Sequence, residues 1–174
     1  MVGILLYISG HTLPYISYAV NCCARYIFCP KHSHETALKR ISCYLKETRY
    51  RGLIFNPSSD VCKSDCYPDE YFGGIYGHEI LIDPACVKSR TGFIITFTNC
   101  PVYWASEFQT ETGLSKMESE NNALDHSRRE LLPIIDITKL ISQAVGLPIG
   151  DTKMNVSIHD DNSGALILEK TFPP

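Results

Sequence analysis

Three separated acidic positions are the residues of this chain best suited to chemistry. Asp69 sits in Tyr67-Pro68-Asp69-Glu70-Tyr71-Phe72-Gly73-Gly74, Glu120 in Ser115-Lys116-Met117-Glu118-Ser119-Glu120, and Asp161 in Ser157-Ile158-His159-Asp160-Asp161-Asn162. The first and third end expected strands and the second opens a helix, an order that can gather carboxylates around divalent metal for phosphodiester hydrolysis. Such hydrolysis needs a neutralised phosphate, an activated water and a stabilised leaving oxygen, and two Mg2+ ions about 4 Å apart supply all three. Mg2+, or Mn2+ in its place, takes hard oxygen ligands and keeps some waters, so a few Asp and Glu side chains suffice. In that scheme Asp69 anchors both ions, Glu120 holds one from the helix and Asp161 holds one from the last strand. Glu118 lies two residues from Glu120 and so on another face of the helix. Each acid also has a purely structural reading. Asp69 would belong to an acidic turn, Glu120 would favour a helix N-terminus, and Asp161 would cap a final helix.

The elements that must position these acids follow from periodicity and breakers. Residues 3–29 read as helix with a break at His11-Thr12-Leu13-Pro14, because Ile16, Ala19, Val20, Cys23, Ala24 and Ile27 recur at helical spacing. Pro30 ends that segment, and Ser33 is the expected N-cap of a second helix over 34–48. Asn56-Pro57-Ser58-Ser59-Asp60 reads as a linker. A polar strand is expected over 61–68, a clear one over Thr91–Phe97, and a hairpin partner through Val102-Tyr103-Trp104-Ala105 after a turn at Asn99. Residues 116–145 read as helix, kinked or divided at Pro133. A short strand follows from Met154 to His159, then a helix over Ser163–Lys170. A strand entered after a helix is expected to run parallel to its neighbour, which gives a mixed sheet.

At 174 residues and 44% hydrophobic, the chain can bury one real core with a small helical appendage. No run approaches 18 apolar residues, and the apolar start Met1–Ile8 has neither a basic lead-in nor a cleavage pattern. Eight cysteines (22, 23, 29, 43, 62, 66, 86 and 100) form no regular framework, so reduced thiols in an intracellular, non-secreted protein are expected, cytoplasmic or nuclear. Cys23, Cys29, His32 and His34 do not have a common structural zinc spacing. The net charge of −3 divides into +4 over residues 1–60 and −7 over 61–174. A basic lobe beside an acidic one suits a nucleic acid backbone on one side and metal on the other. Lys39, Arg40, Lys46 and Arg49 on the second helix are the candidate nucleic-acid contacts. No serine elbow or glycine-rich phosphate loop is present, and His78, His126 and His159 form no ligand set.

Seven ordered blocks resemble the Pol polyprotein of copia-type LTR retrotransposons, from the end of the reverse transcriptase through most of its ribonuclease H domain. They are Gly10–Pro14 with Ile16–Val20; Ala37–Ile41 with Tyr44–Lys46; Gly52–Phe55; Ser89–Phe93; Cys100–Ser106; Gln109–Glu111 with Leu114-Ser115; and His159–Leu166. The resemblance implies two parts. Residues 1–55 would be a helical remnant of the polymerase's C-terminal region, and residues 61–174 an RNase H-like domain. The implied fold is α/β: three antiparallel strands, a long helix and a parallel strand, C-terminally incomplete and preceded by the helical segment. The implied activity is hydrolysis of the RNA strand of an RNA–DNA hybrid, with Asp69, Glu120 and Asp161 at the first three metal-binding positions. The polymerase's own catalytic aspartates have no counterpart here, and the remainder of Pol is an implied partner.

The departures point to weak or absent activity. The family's Asp-Ala-Asp appears as Asp69-Glu70-Tyr71, its Thr-Glu-Ala-Glu-Tyr as Met117-Glu118-Ser119-Glu120-Asn121, and its Arg-Pro-Asp as Leu13-Pro14-Tyr15. The family also continues past the position of Pro174 to a fourth acid. A catalytically dead module that binds RNA or hybrid, or one that binds protein, is the alternative expectation.

Overall fold

The computed structural model describes residues 1–57, 63–73, 87–146 and 154–160. Its centre is a four-stranded sheet of order β3-β2-β1-β4, formed by β1 (Lys63–Tyr71), β2 (Arg90–Phe97), β3 (Cys100–Phe108) and β4 (Asn155–Ile158). β1 pairs antiparallel with β2, β2 antiparallel with β3, and β4 parallel with β1, so the mixed sheet expected from sequence is present. Thr98 and Asn99 both take positive φ, 48° and 66°, in the two-residue turn joining β2 to β3. That left-handed pair matches the twist of an antiparallel hairpin. Pro101 is tolerated because β3 is an edge strand, and the register slips beside it, between Ile95 and Thr96.

One face of the sheet packs on the long helix α4 (Lys116–Ala144). Leu124, Ser127, Leu131 and Ile135 recur every three or four residues and are buried. Leu131 and Ile135 close the core against Cys66, Phe93 and Ile95. Pro133 neither divides nor ends the helix. It lies on the exposed side, where water can satisfy the carbonyl that loses its helical donor.

The opposite face receives α1 (Val2–His11), a short 3-10 turn (Pro14–Ile16) and α2 (Ser17–Ala24), and α3 (His32–Glu47) packs on α2. Leu5, Ile16, Val20, Cys23 and Ile41 make a second core among these helices. Two contacts fix them to the sheet. The Trp104 indole Nε1–H donates to the Ser9 carbonyl over 2.7 Å, and both residues are buried. Arg90, also buried, donates through Nη1 to the Ser106 carbonyl at 3.1 Å. Its guanidinium lies over the rings of Phe108 and Tyr18 at 4.3 and 5.5 Å. The second helix begins two residues earlier than expected. Lys31 rather than Ser33 is its N-cap, and its N–H donates to His34 Nδ1 at 3.0 Å. The helix expected over Ser163–Lys170 lies outside the described residues.

β1 is polar yet central, and the polar groups at its start are paired. Ser64 Oγ donates to the Thr96 carbonyl at 3.2 Å. Asp65, 1% exposed, meets Lys63 Nζ at 3.0 Å and His159 Nε2 at 2.8 Å. The His159 ring stacks on Tyr67, and its backbone N–H donates to the Cys66 carbonyl at 2.8 Å, extending the pairing of β4 with β1. Burial alone would raise the Asp65 pKa, but the hydrogen bonds and charges of His159 and Lys63 outweigh it and hold the carboxyl below its ordinary value.

A carboxyl lowered on folding stabilises the fold above its unfolded pKa and loses that contribution as pH falls through the folded value. Replacing Asp65 by Asn should therefore cost about 1–3 kcal/mol in urea unfolding at neutral pH. It should also flatten the acid limb of the stability curve below about pH 4. Equal acid sensitivity of variant and wild type would contradict this.

Candidate functional site

Strand parity decides which acids face the long helix. Cys66 on β1 packs into the core with Leu131 and Ile135, so Pro68 and Glu70 share its face of the sheet. Asp69 pairs across the ladder with Gly92 and is exposed; its Oδ1 accepts the backbone N–H of Glu70 at 2.8 Å. Glu120 lies one turn ahead of Leu124 on the inward stripe of α4 and is only 8% exposed. Pro68, Asp69, Glu70, Glu120, Ala123 and Asp160 line one small recess where the end of β1, the head of α4 and the residues after β4 meet. Asp161 follows Asp160 and lies outside the described residues.

The head of α4 is fixed by its cap and by a buried polar network. Ser115 is the N-cap and accepts the Glu118 N–H at 3.1 Å, while the Glu118 carboxylate accepts the Leu114 N–H at 2.7 Å. Glu118 is thereby committed to the helix start. Ser119 is fully buried. Its Oγ lies 3.2 Å from both Glu70 Oε2 and Gln109 Oε1, so one hydroxyl proton serves two acceptors. Gln109 is buried too; its Nε2 donates to the Ser119 carbonyl at 2.7 Å and to Thr91 Oγ1 at 3.2 Å. Gly113 lies so close that an added Cβ would sit 3.1–3.2 Å from the Ser119 N, Cα and Cβ.

Two oxygens at this junction, Glu70 Oε1 and Glu120 Oε2, are buried without a hydrogen-bond partner. The other Glu120 oxygen is 3.4 Å from Lys116 Nζ. Burial first, and the neighbouring Glu120 charge after it, push the Glu70 carboxyl above the ordinary carboxylate range against the hydrogen bond from Ser119. Two orphaned hard oxygens are the donor type Mg2+ or Mn2+ takes. Among the described residues, however, no group of three or more His, Cys, Asp or Glu is placed to hold a metal ion.

The structure thus brings Asp69 and Glu120 to one recess and adds Glu70 and Asp160 to it. Sequence reasoning passed over Glu70, although alternation counted from Cys66 marks it as inward. Of the candidate nucleic-acid contacts, Lys39, Arg40, Lys46 and Arg49 are all exposed on or just after α3. Lys39 is tied to Glu35 at 2.7 Å, and Arg49 lies over the Tyr50 ring.

The sheet order, the parallel fourth strand and the long helix on one face define an RNase H-like α/β arrangement. The sequence is distantly similar to retrotransposon Pol proteins. It is 30% identical over 169 residues to the retrovirus-related Pol polyprotein from transposon TNT 1-94 of Nicotiana tabacum, which covers 97% of this chain and 11% of that protein. It is likewise 30% identical over 169 residues to the one from transposon RE1 of Arabidopsis thaliana, covering 97% of this chain and 10% of that protein. The secreted RxLR effector protein 161 of Plasmopara viticola is 29% identical over 129 residues, 74% of this chain and 84% of that protein. The chain spans about a tenth of the length of the Pol polyproteins it matches. No family model matches the chain. No solved structure matches it either. No helix among the described residues is long and apolar enough to cross a membrane.

Gln109→Ala removes the donor that ties the head of α4 to β2 and leaves buried acceptors unpaired. The expected cost is about 1–3 kcal/mol, with faster amide exchange in the first turn of α4 than at its centre. Unchanged exchange at Ser119 and Glu120 would show that the network does not hold this turn.

Proposed function

We propose that the chain is an RNase H-like piece of a copia-type Pol polyprotein that holds RNA–DNA hybrid and cleaves its RNA strand weakly or not at all. The carrying observation is the convergence of Asp69 and Glu120, from β1 and α4, on one recess beside the end of β4. Asp69, Glu120 and Asp161 are the residues that would hold Mg2+ or Mn2+. When bound, the ions would neutralise phosphate charge and supply hydroxide. The chain's own part is to hold these carboxylates on rigid elements. Ser115, Ser119 and Gln109 orient the head of α4, while His159 and Asp65 tie the approach to Asp161 against β1. The exposed face of α3 offers Arg40 and Lys46, and Arg49 just after it, to a phosphate backbone, with Lys39 shared with Glu35. Residues 1–55 would then descend from the polymerase's terminal helices and residues 61–174 from the ribonuclease H domain. The remainder of Pol would be the natural partner, in cytoplasm or nucleus.

A non-cleaving hybrid- or RNA-binding module is the second reading. It is favoured by the absence, among the described residues, of a three-residue metal group and by the Glu70 side chain in the recess.

A hybrid labelled on each strand, with Mg2+ and then Mn2+, tests both readings. Hybrid binding should weaken with a log–log salt slope of roughly −3.6, as expected for about four phosphate contacts on a duplex. Any cutting should be slow, restricted to RNA, metal-dependent and lost in Asp69→Asn. Folded protein that neither binds nor cuts the hybrid would overturn the proposal.

A further inference from the structure

We infer that Glu70, paired with Glu120, forms a divalent-cation site. The inference rests on the cation-dependent reading above but adds a residue which that reading does not use. Its first support is placement. Glu70 and Glu120 reach one recess from the sheet and the helix. Its second is independent of charge. Glu120 is more than nine-tenths buried, yet its Oε2 has no hydrogen-bond partner, and neither does Glu70 Oε1. Buried carboxylate oxygens are costly to leave unpaired, and a hard cation satisfies them.

The remaining oxygens are already assigned in a way that leaves these two free. Glu70 Oε2 accepts from Ser119 Oγ at 3.2 Å, and Glu120 Oε1 faces Lys116 at 3.4 Å. Each side chain therefore has one oxygen anchored by the protein and one open to an ion. Asp69 differs, since its Oδ1 accepts the Glu70 N–H and the residue is exposed. Asp69 and Asp160 line the same recess.

Mn2+ binding by the full 174-residue chain, followed by the loss of the free-ion electron paramagnetic resonance signal, tests the pairing. Glu70→Gln and Glu120→Gln should each weaken Mn2+ binding by at least about tenfold. Gln retains the acceptor for Ser119, and Glu70→Ala provides a second variant of smaller volume. Circular dichroism confirms folding, and Mn2+ should raise the melting temperature of wild type but not of either Glu70 variant. Wild-type affinity in folded Glu70→Gln and Glu70→Ala would overturn the inference. If Asp69→Asn alone abolishes binding, the inference fails while the proposed function stands on Asp69. If wild type binds no Mn2+ but still binds hybrid, the cation site is refuted and the non-cleaving module remains. Loss of both would sink the proposed function as well.

Discussion

The buried hydroxyl of Ser119 is the contact on which the arrangement of the candidate site depends. It touches Glu70 from β1 and Gln109 from the end of β3, and Gln109 returns to the Ser119 carbonyl and to Thr91 on β2. Three strands and the first turn of α4 are thus joined at one point. A hydrogen bond between buried neutral groups contributes only about 0.5–1.5 kcal/mol net, but leaving its partners unpaired costs more. The network therefore acts less as a source of stability than as a constraint on position. It fixes where Glu120 starts its turn, and Gly113 leaves no slack on the outer side.

The sheet separates two kinds of surface. On one face Cys66, Phe93 and Ile95 meet α4, and Glu70 shares that face at the strand end. On the other, Trp104 binds α1 through the buried Ser9 carbonyl and Arg90 meets α2 through the Tyr18 ring. The acidic recess belongs to the side and end of the sheet governed by α4. The basic residues of α3 lie in the layer stacked on α2. A nucleic acid touching both would have to pass around the sheet rather than lie across one face.

Much of this was legible in the residues. The run Thr91–Phe97, the turn at Asn99 and the helical reading of 116–145 announced the hairpin and the long helix, with boundaries within a few residues. The position of Glu120 near the head of that helix was legible as well. Other features depended on partners distant in sequence. β1 is polar because Ser64 and Asp65 are paired by Thr96, Lys63 and His159, and local pattern does not encode such pairings. Pro133 reads as a breaker, but its exposed position lets the helix continue. Ser33 resembles a better cap than Lys31, yet the bond to His34 starts the helix earlier. Glu70 escaped notice because a family pattern drew attention to its neighbour, whereas strand alternation pointed to Glu70 itself.

The central claim is that strand parity and the Ser119 network present a pair of carboxylates, one from β1 and one from α4, to a single ion. Anomalous diffraction from crystals soaked in Mn2+ tests this most directly. The account predicts a peak within bonding distance of both Glu70 Oε1 and Glu120 Oε2. A peak held by Asp69 without Glu70, or no peak in crystals that hold the ion elsewhere, would contradict it.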